Sequence, residues 1–108
     1  TKDHSYVQEL VLRGEISKEA ADSHPAKNYI TRAVGSEDIL KVDIKILDYS
    51  GEIVLLCSDG LSNMLCDEQI EEIIKENEEL QAGCEALVSL ANKKGGLDNI
   101  TVIAFEKN

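Results

Sequence analysis

The stretch IVLLCSDGLSNML, residues 53–65, decides how this chain is read. Its first five residues, Ile53 to Cys57, are all apolar and read as a buried strand. The run stops at Ser58-Asp59-Gly60, which sets a carboxylate at the mouth of that strand. Near the C-terminus the order is reversed: Gly95-Gly96-Leu97-Asp98-Asn99 leads into the apolar run Ile100–Phe105. Either segment alone is ordinary turn chemistry. Together they place two short carboxylates, Asp59 and Asp98, at the mouths of two strands, where they could share one ion. Carboxylate ligands without His or Cys favour hard cations such as magnesium or manganese.

Outward from this pair the pattern is mixed helix and strand. Ser5 with Gln8 forms a capping box for a helix carrying Val7, Leu10 and Val11, and Gly14 can close it. Ser17 caps a second short helix through Ala21, and His24-Pro25 stops it. Residues 23–38 read as an ordered, turn-rich loop. Leu40, Val42, Ile44 and Ile46 alternate with polar residues and predict a half-buried strand. Asp48-Tyr49-Ser50-Gly51 then predicts a turn into the Ile53–Cys57 strand, making an antiparallel hairpin. Leu61, Met64 and Leu65 suggest a helical turn, and Asp67 a cap for a helix with Ile70, Ile73 and Ile74 on one face. Leu80, Cys84, Leu87, Val88 and Ala91 mark an amphipathic helix ended by Gly95-Gly96. The strands at 53–57 and 100–105 are apolar on both faces, so the pattern asks for more covering layers than the chain holds.

At 108 residues, 43% hydrophobic and 30% charged, the chain has the composition of one globular domain at most. Its net charge of −10 argues against nucleic-acid binding and would repel a phosphorylated substrate unless bound cations reversed the local field. The three cysteines, Cys57, Cys66 and Cys84, show no CxxC spacing and read as small buried hydrophobes in a reducing, cytoplasmic setting. No apolar run approaches the ~20 residues of a membrane span, so no membrane insertion is expected. The chain begins with Thr1, which suggests a piece of a longer protein.

Four blocks carry a resemblance: DHSYVQELVLRGEIS (residues 3–17), HPAKNYITRAVGS (24–36), LLCSDGLSNML (55–65) and GGLDNITVI (95–103). In content and order they resemble the C-terminal portion of the bacterial metal-dependent Ser/Thr protein phosphatases of the PPM (protein phosphatase 2C) family. That resemblance implies an α+β fold, part of a four-layer αββα sandwich of antiparallel sheets flanked by helices. Residues 1–108 would be the C-terminal part of one phosphatase domain whose N-terminal half is absent, with 14–36 a flap-like segment that shapes access of protein substrates. The implied reaction is hydrolysis of phosphoserine and phosphothreonine in proteins by a metal-activated water, opposing a Ser/Thr protein kinase. Asp59 and Asp98 match the family's metal ligands for Mn2+ or Mg2+ in a binuclear site. No catalytic residue beyond the ligands is implied, since no covalent phosphoenzyme is needed; Cys57 and Ser58 are not nucleophiles.

Gly60 would let the backbone turn close to the ions, and Asn99 would orient its loop through side-chain hydrogen bonds. Asn63 stands where many members carry aspartate and is read as a residue bordering the site. The family's bridging aspartate, its adjacent Asp-Gly pair and its phosphate arginine lie outside this segment, so His4, His24 and Arg32 read as structural. The binuclear centre needs residues from outside the chain, and the isolated 108 residues are expected to be incomplete and inactive. The contrasting reading is a non-catalytic phosphatase-like protein-binding module.

Overall fold

Ser5 and Ser17 each begin a helix, because each hydroxyl accepts the backbone N–H three residues on: Gln8 N at 3.2 Å and Ala20 N at 3.1 Å. The computed structural model describes residues 1–107. It forms two compact units, Thr1–Ile46 and Leu47–Asn108.

In the first unit, α1 (Tyr6–Leu12) buries Val7 and Leu10, and α2 (Lys18–Asp22) buries Ala21. Gly14, at φ 72°, turns the chain out of α1, and the Glu15 N–H reaches back to Leu10 O at 2.9 Å. The start of α1 is fastened to the later loop: Ser5 and Ile30 form an isolated antiparallel bridge, with Tyr6 N donating to Tyr29 O and Thr31 N to His4 O.

The strand expected over Leu40–Ile46 is absent. This stretch has no regular secondary structure, and its alternating apolar residues stand out: Ile44 is 88% and Ile46 93% exposed. Alternation makes a segment fit for a sheet; it becomes a strand only when a neighbour accepts its backbone bonds. The expected hairpin fails with it.

In the second unit, β1 (Val54–Cys57) pairs antiparallel not with the preceding segment but with β2 (Val102–Phe105), in the register Val54↔Phe105 to Cys57↔Val102. Between them come α3 (Asp59–Ser62), α4 (Asp67–Glu76) and α5 (Leu80–Lys93). The core gathers Leu61, Leu65, Ile74, Leu87 and Ala91, with Leu61 and Leu87 fully buried. Each such leucine contributes roughly 1.5–3 kcal/mol. Helix α4 is capped by Cys66 rather than Asp67: the Cys66 side chain accepts the Gln69 backbone N–H, and the Gln69 side chain accepts the Cys66 N–H at 3.3 Å.

The helices cover one face of the two-stranded sheet. On the other, Leu56 (57% exposed), Ile103 (56%) and Phe105 (47%) are bare, so the second covering layer demanded by the sequence is not supplied by the described residues. The cysteines also differ from expectation. Cys57 and Cys66 are exposed, and only Cys84 is partly buried; Cys57 lies at the end of β1, on the face it shares with Leu55 and Val102, and Cys66 is spent on a helix end.

Candidate metal-binding site at the strand mouths

Two chain segments meet where β1 ends and β2 begins. The ladder runs to Cys57↔Val102 and continues one step further, with Ser58 N donating to Thr101 O at 3.0 Å. The return bond is unusual. Thr101 N donates not to the Ser58 carbonyl but to the Ser58 hydroxyl, at 3.0 Å. That leaves the Ser58 carbonyl to accept Leu61 N at 3.1 Å and begin α3. The chain thus changes from strand to helix at Asp59 with its backbone groups still paired.

The same hydroxyl donates to Asn99 O at 3.0 Å. Asn99 N in turn donates to Asp98 Oδ1 at 2.7 Å, which fixes the direction of that carboxylate. Asn99 therefore holds its loop through its backbone, where side-chain hydrogen bonds were expected.

Gly60 is buried against this junction. A Cβ at that position would lie 2.2 Å from Asn99 O and 2.9 Å from Asn99 C. Its backbone is helical, within α3, so glycine is required for close approach of two backbones and not for an unusual turn. Asn63 ends α3, its N–H donating to Asp59 O at 2.8 Å. Asp59 and Asp98 are both exposed at this end of the unit.

The donor chemistry fits a hard divalent cation only in part. Both candidate ligands are carboxylates, and their loops are in direct contact. Among the described residues, however, no group of three or more His, Cys, Asp and Glu side chains could hold an ion. Two carboxylates supply a share of such a site and not a whole one.

Cys57, two residues before Asp59, has its thiol pushed up by burial and by the negative charge of Asp67. This is the reverse of what activates a nucleophile.

The remaining polar residues singled out in the sequence have structural partners within the first unit. Asp43 is hydrogen-bonded to His4 Nε2 at 2.9 Å and ion-paired with Arg32 Nη1 at 3.0 Å, and these two partners, His4 first, hold its carboxyl below the usual range. His24 Nδ1 accepts Ala26 N at 3.0 Å, and its ring meets that of Tyr6 edge-on. Two roles escaped the sequence. A serine at a strand exit signals a helix cap, whereas Ser58 makes no side-chain cap bond and joins two loops. Asp43 gave no signal beyond its place in an alternating stretch.

No protein-family model matches the chain. Similarity to individual proteins is extensive. The chain is 45% identical over 109 residues to a serine/threonine phosphatase, stp, of Listeria innocua, covering 100% of this chain and 43% of that protein. The crystal structure of the serine/threonine phosphatase Stp1 from Staphylococcus aureus superimposes with a TM-score of 0.88 at 34% identity, over 100% of this chain and 43% of that one. The catalytic domain of the serine threonine protein phosphatase PstP, in complex with 2 manganese ions, gives a TM-score of 0.75 at 37% identity, over 96% of this chain and 42% of that one. The chain thus spans less than half the length of the proteins it matches. In sequence and in fold, along its whole length, the chain is similar to a C-terminal portion of bacterial PPM-type serine/threonine phosphatases.

Proposed function

We propose that this chain is the C-terminal part of a catalytic domain that hydrolyses phosphoserine and phosphothreonine in proteins, and that Asp59 and Asp98 are its contribution to a binuclear Mn2+ or Mg2+ centre. The observation that carries the reading is the junction of the Ser58–Gly60 and Asp98–Thr101 segments. It brings both carboxylate-bearing loops to one end of the β1–β2 pair in a chain similar to phosphatases along its whole length. Bound ions of this kind supply an acidified water and neutralise phosphoryl charge. The residues of this chain supply anionic oxygens at fixed positions: Asp98 oriented by the Asn99 N–H, Asp59 carried on the first turn of α3, and Gly60 keeping the two loops within contact. Asn63, neutral at the end of α3, borders the site without adding charge to it.

The bare face of β1 and β2 is consistent with a four-layer αββα sandwich completed by residues outside this chain, and those residues would also complete the ligand set. We assign residues 14–36 the role of a flap that influences which phosphoproteins reach the site. The parent protein would act in the cytoplasm against the products of a Ser/Thr protein kinase. No helix among the described residues is long and apolar enough to cross a membrane.

The test is manganese-dependent hydrolysis of a phosphothreonine peptide by the full-length parent, with Asp59→Ala and Asp98→Ala beside it. Loss of turnover in both variants with folding retained is the expected result. A folded, metal-loaded parent with no activity would overturn the catalytic reading and favour a non-catalytic binding module.

A further inference from the structure

We infer that Ser58 is a positioning residue for the metal site, acting on Asp98 through the Asn99 backbone. The inference rests on the metal-site reading above and deepens it.

Three observations converge. First, the Ser58 hydroxyl stands in for a main-chain carbonyl: it accepts Thr101 N where the β ladder would otherwise use Ser58 O. Second, its own proton goes to Asn99 O, while the Asn99 N–H goes to Asp98 Oδ1. Asn99 is thus held on both sides of its Cα, by Ser58 on one and by the Asp98 carboxylate on the other. Third, Ser58 sits at the helix N-cap position and makes no side-chain cap bond to α3. A serine there ordinarily caps its own helix; this one is committed across the junction instead. The hydroxyl accepts from Thr101 and donates to Asn99 through a single atom, and an alanine side chain can do neither. Removing it leaves an N–H and a C=O beside Asp98 without a protein partner, and the loop that aims that carboxylate loses its fastening.

The role is separate from nucleophilic chemistry, since the hydroxyl donates its proton to a main-chain carbonyl, Asn99 O, and not to a general base. It is also separate from packing. Threonine keeps the hydroxyl and adopts the extended backbone of this position, φ −75° and ψ 163°.

The experiment is calorimetric titration of Mn2+ into the metal-free full-length phosphatase carrying this segment, in parent, Ser58→Ala and Ser58→Thr forms. Orienting partners of metal ligands typically set affinity by 10–100-fold, so Ser58→Ala should bind Mn2+ at least about tenfold more weakly and Ser58→Thr within about threefold of the parent. In the Asp98→Ala background, Ser58→Ala should add little further loss, because its effect runs through Asp98. Equal affinity in parent and Ser58→Ala overturns the inference, and so do equal losses in the alanine and threonine variants or additive losses in the double variant. A parent that binds no Mn2+ overturns the metal-site reading itself, a result distinct from all of these. Should Ser58→Ala fail to fold, amide exchange in the metal-free parent decides: the Thr101 N–H should be protected, and rapid exchange there counts against the role.

Discussion

Residues 58–63 and 98–101 interlock, whereas residues 39–46 hang by one side chain. Only the second is rich in residues that suit a sheet. In the first, a ladder step, a hydroxyl bonded on two sides and a glycine pressed on a carbonyl fix two loops together. In the second, side-chain bonds from His4 and Arg32 to Asp43 tie down a segment without regular secondary structure, whose valine and isoleucines face outward. Apolar alternation is a property of a segment, while a strand is a property of a pair. The contrast separates what this chain determines by itself from what it leaves to a neighbour.

The sharpest way to break the interlocked region is Gly60→Ala. Its Cβ would fall 2.2 Å from Asn99 O, and backbone on both sides must shift, so the variant should lose about 3 kcal/mol or more in chemical denaturation and weaken Mn2+ binding. Retention of both would show that the loops yield more easily than the geometry allows.

Leu87→Ala, at a fully buried site, should cost about 2–5 kcal/mol by the same measurement. Ile44→Ala, at a site 88% exposed, should change the stability of this chain by less than about 0.5 kcal/mol. Performed in the full-length parent, Ile44→Ala measures whether a neighbour covers the segment. A cost there well above that in the chain alone identifies 39–46 as a strand awaiting its partner, and equal small costs remove that idea.

The smallest effect concerns the single tie of the loose region. The carboxyl of Asp43 is held below its ordinary range, first by the His4 bond and then by Arg32. A depressed carboxylate stabilises the folded state above its unfolded pKa, and that contribution is lost as pH falls through the folded value. Asp43→Asn should therefore flatten the acid limb of the stability profile below about pH 4 and leave the rest of its shape unchanged. Parallel acid limbs in the two proteins would show that the bonds carry no linkage.

The placement of the two aspartates at the strand mouths and the serine caps of α1 and α2 were legible in the sequence because each is a local signal. An apolar run broken by Ser-Asp-Gly, or a serine three residues before its N–H partner, needs no distant residue to be recognised. The hairpin was misread because Asp48–Gly51 has turn chemistry and the flanking runs alternate, yet β1 found its partner nearly fifty residues on. Local turn signals do not carry that information. The roles of Ser58, Gly60 and the Asn99 backbone were hidden for the same reason. They arise from a meeting of loops, and a serine, a glycine and a main-chain carbonyl look alike in sequence whether or not they meet anything.

The bare ridge of Leu56, Ile103 and Phe105 makes the colloidal behaviour of this chain an electrostatic matter. Copies with exposed aliphatic ridges and free strand edges attract one another, and the net charge of −10 keeps them apart. That repulsion vanishes near the isoelectric point, about 4.5, while the ridge remains. Added salt shortens the reach of the charge in the same way. Light scattering across pH and ionic strength should show monodisperse chain in dilute neutral buffer and clustering as either variable removes the repulsion. As a separate species the chain stays dispersed only while its acidic surface remains ionised and unscreened.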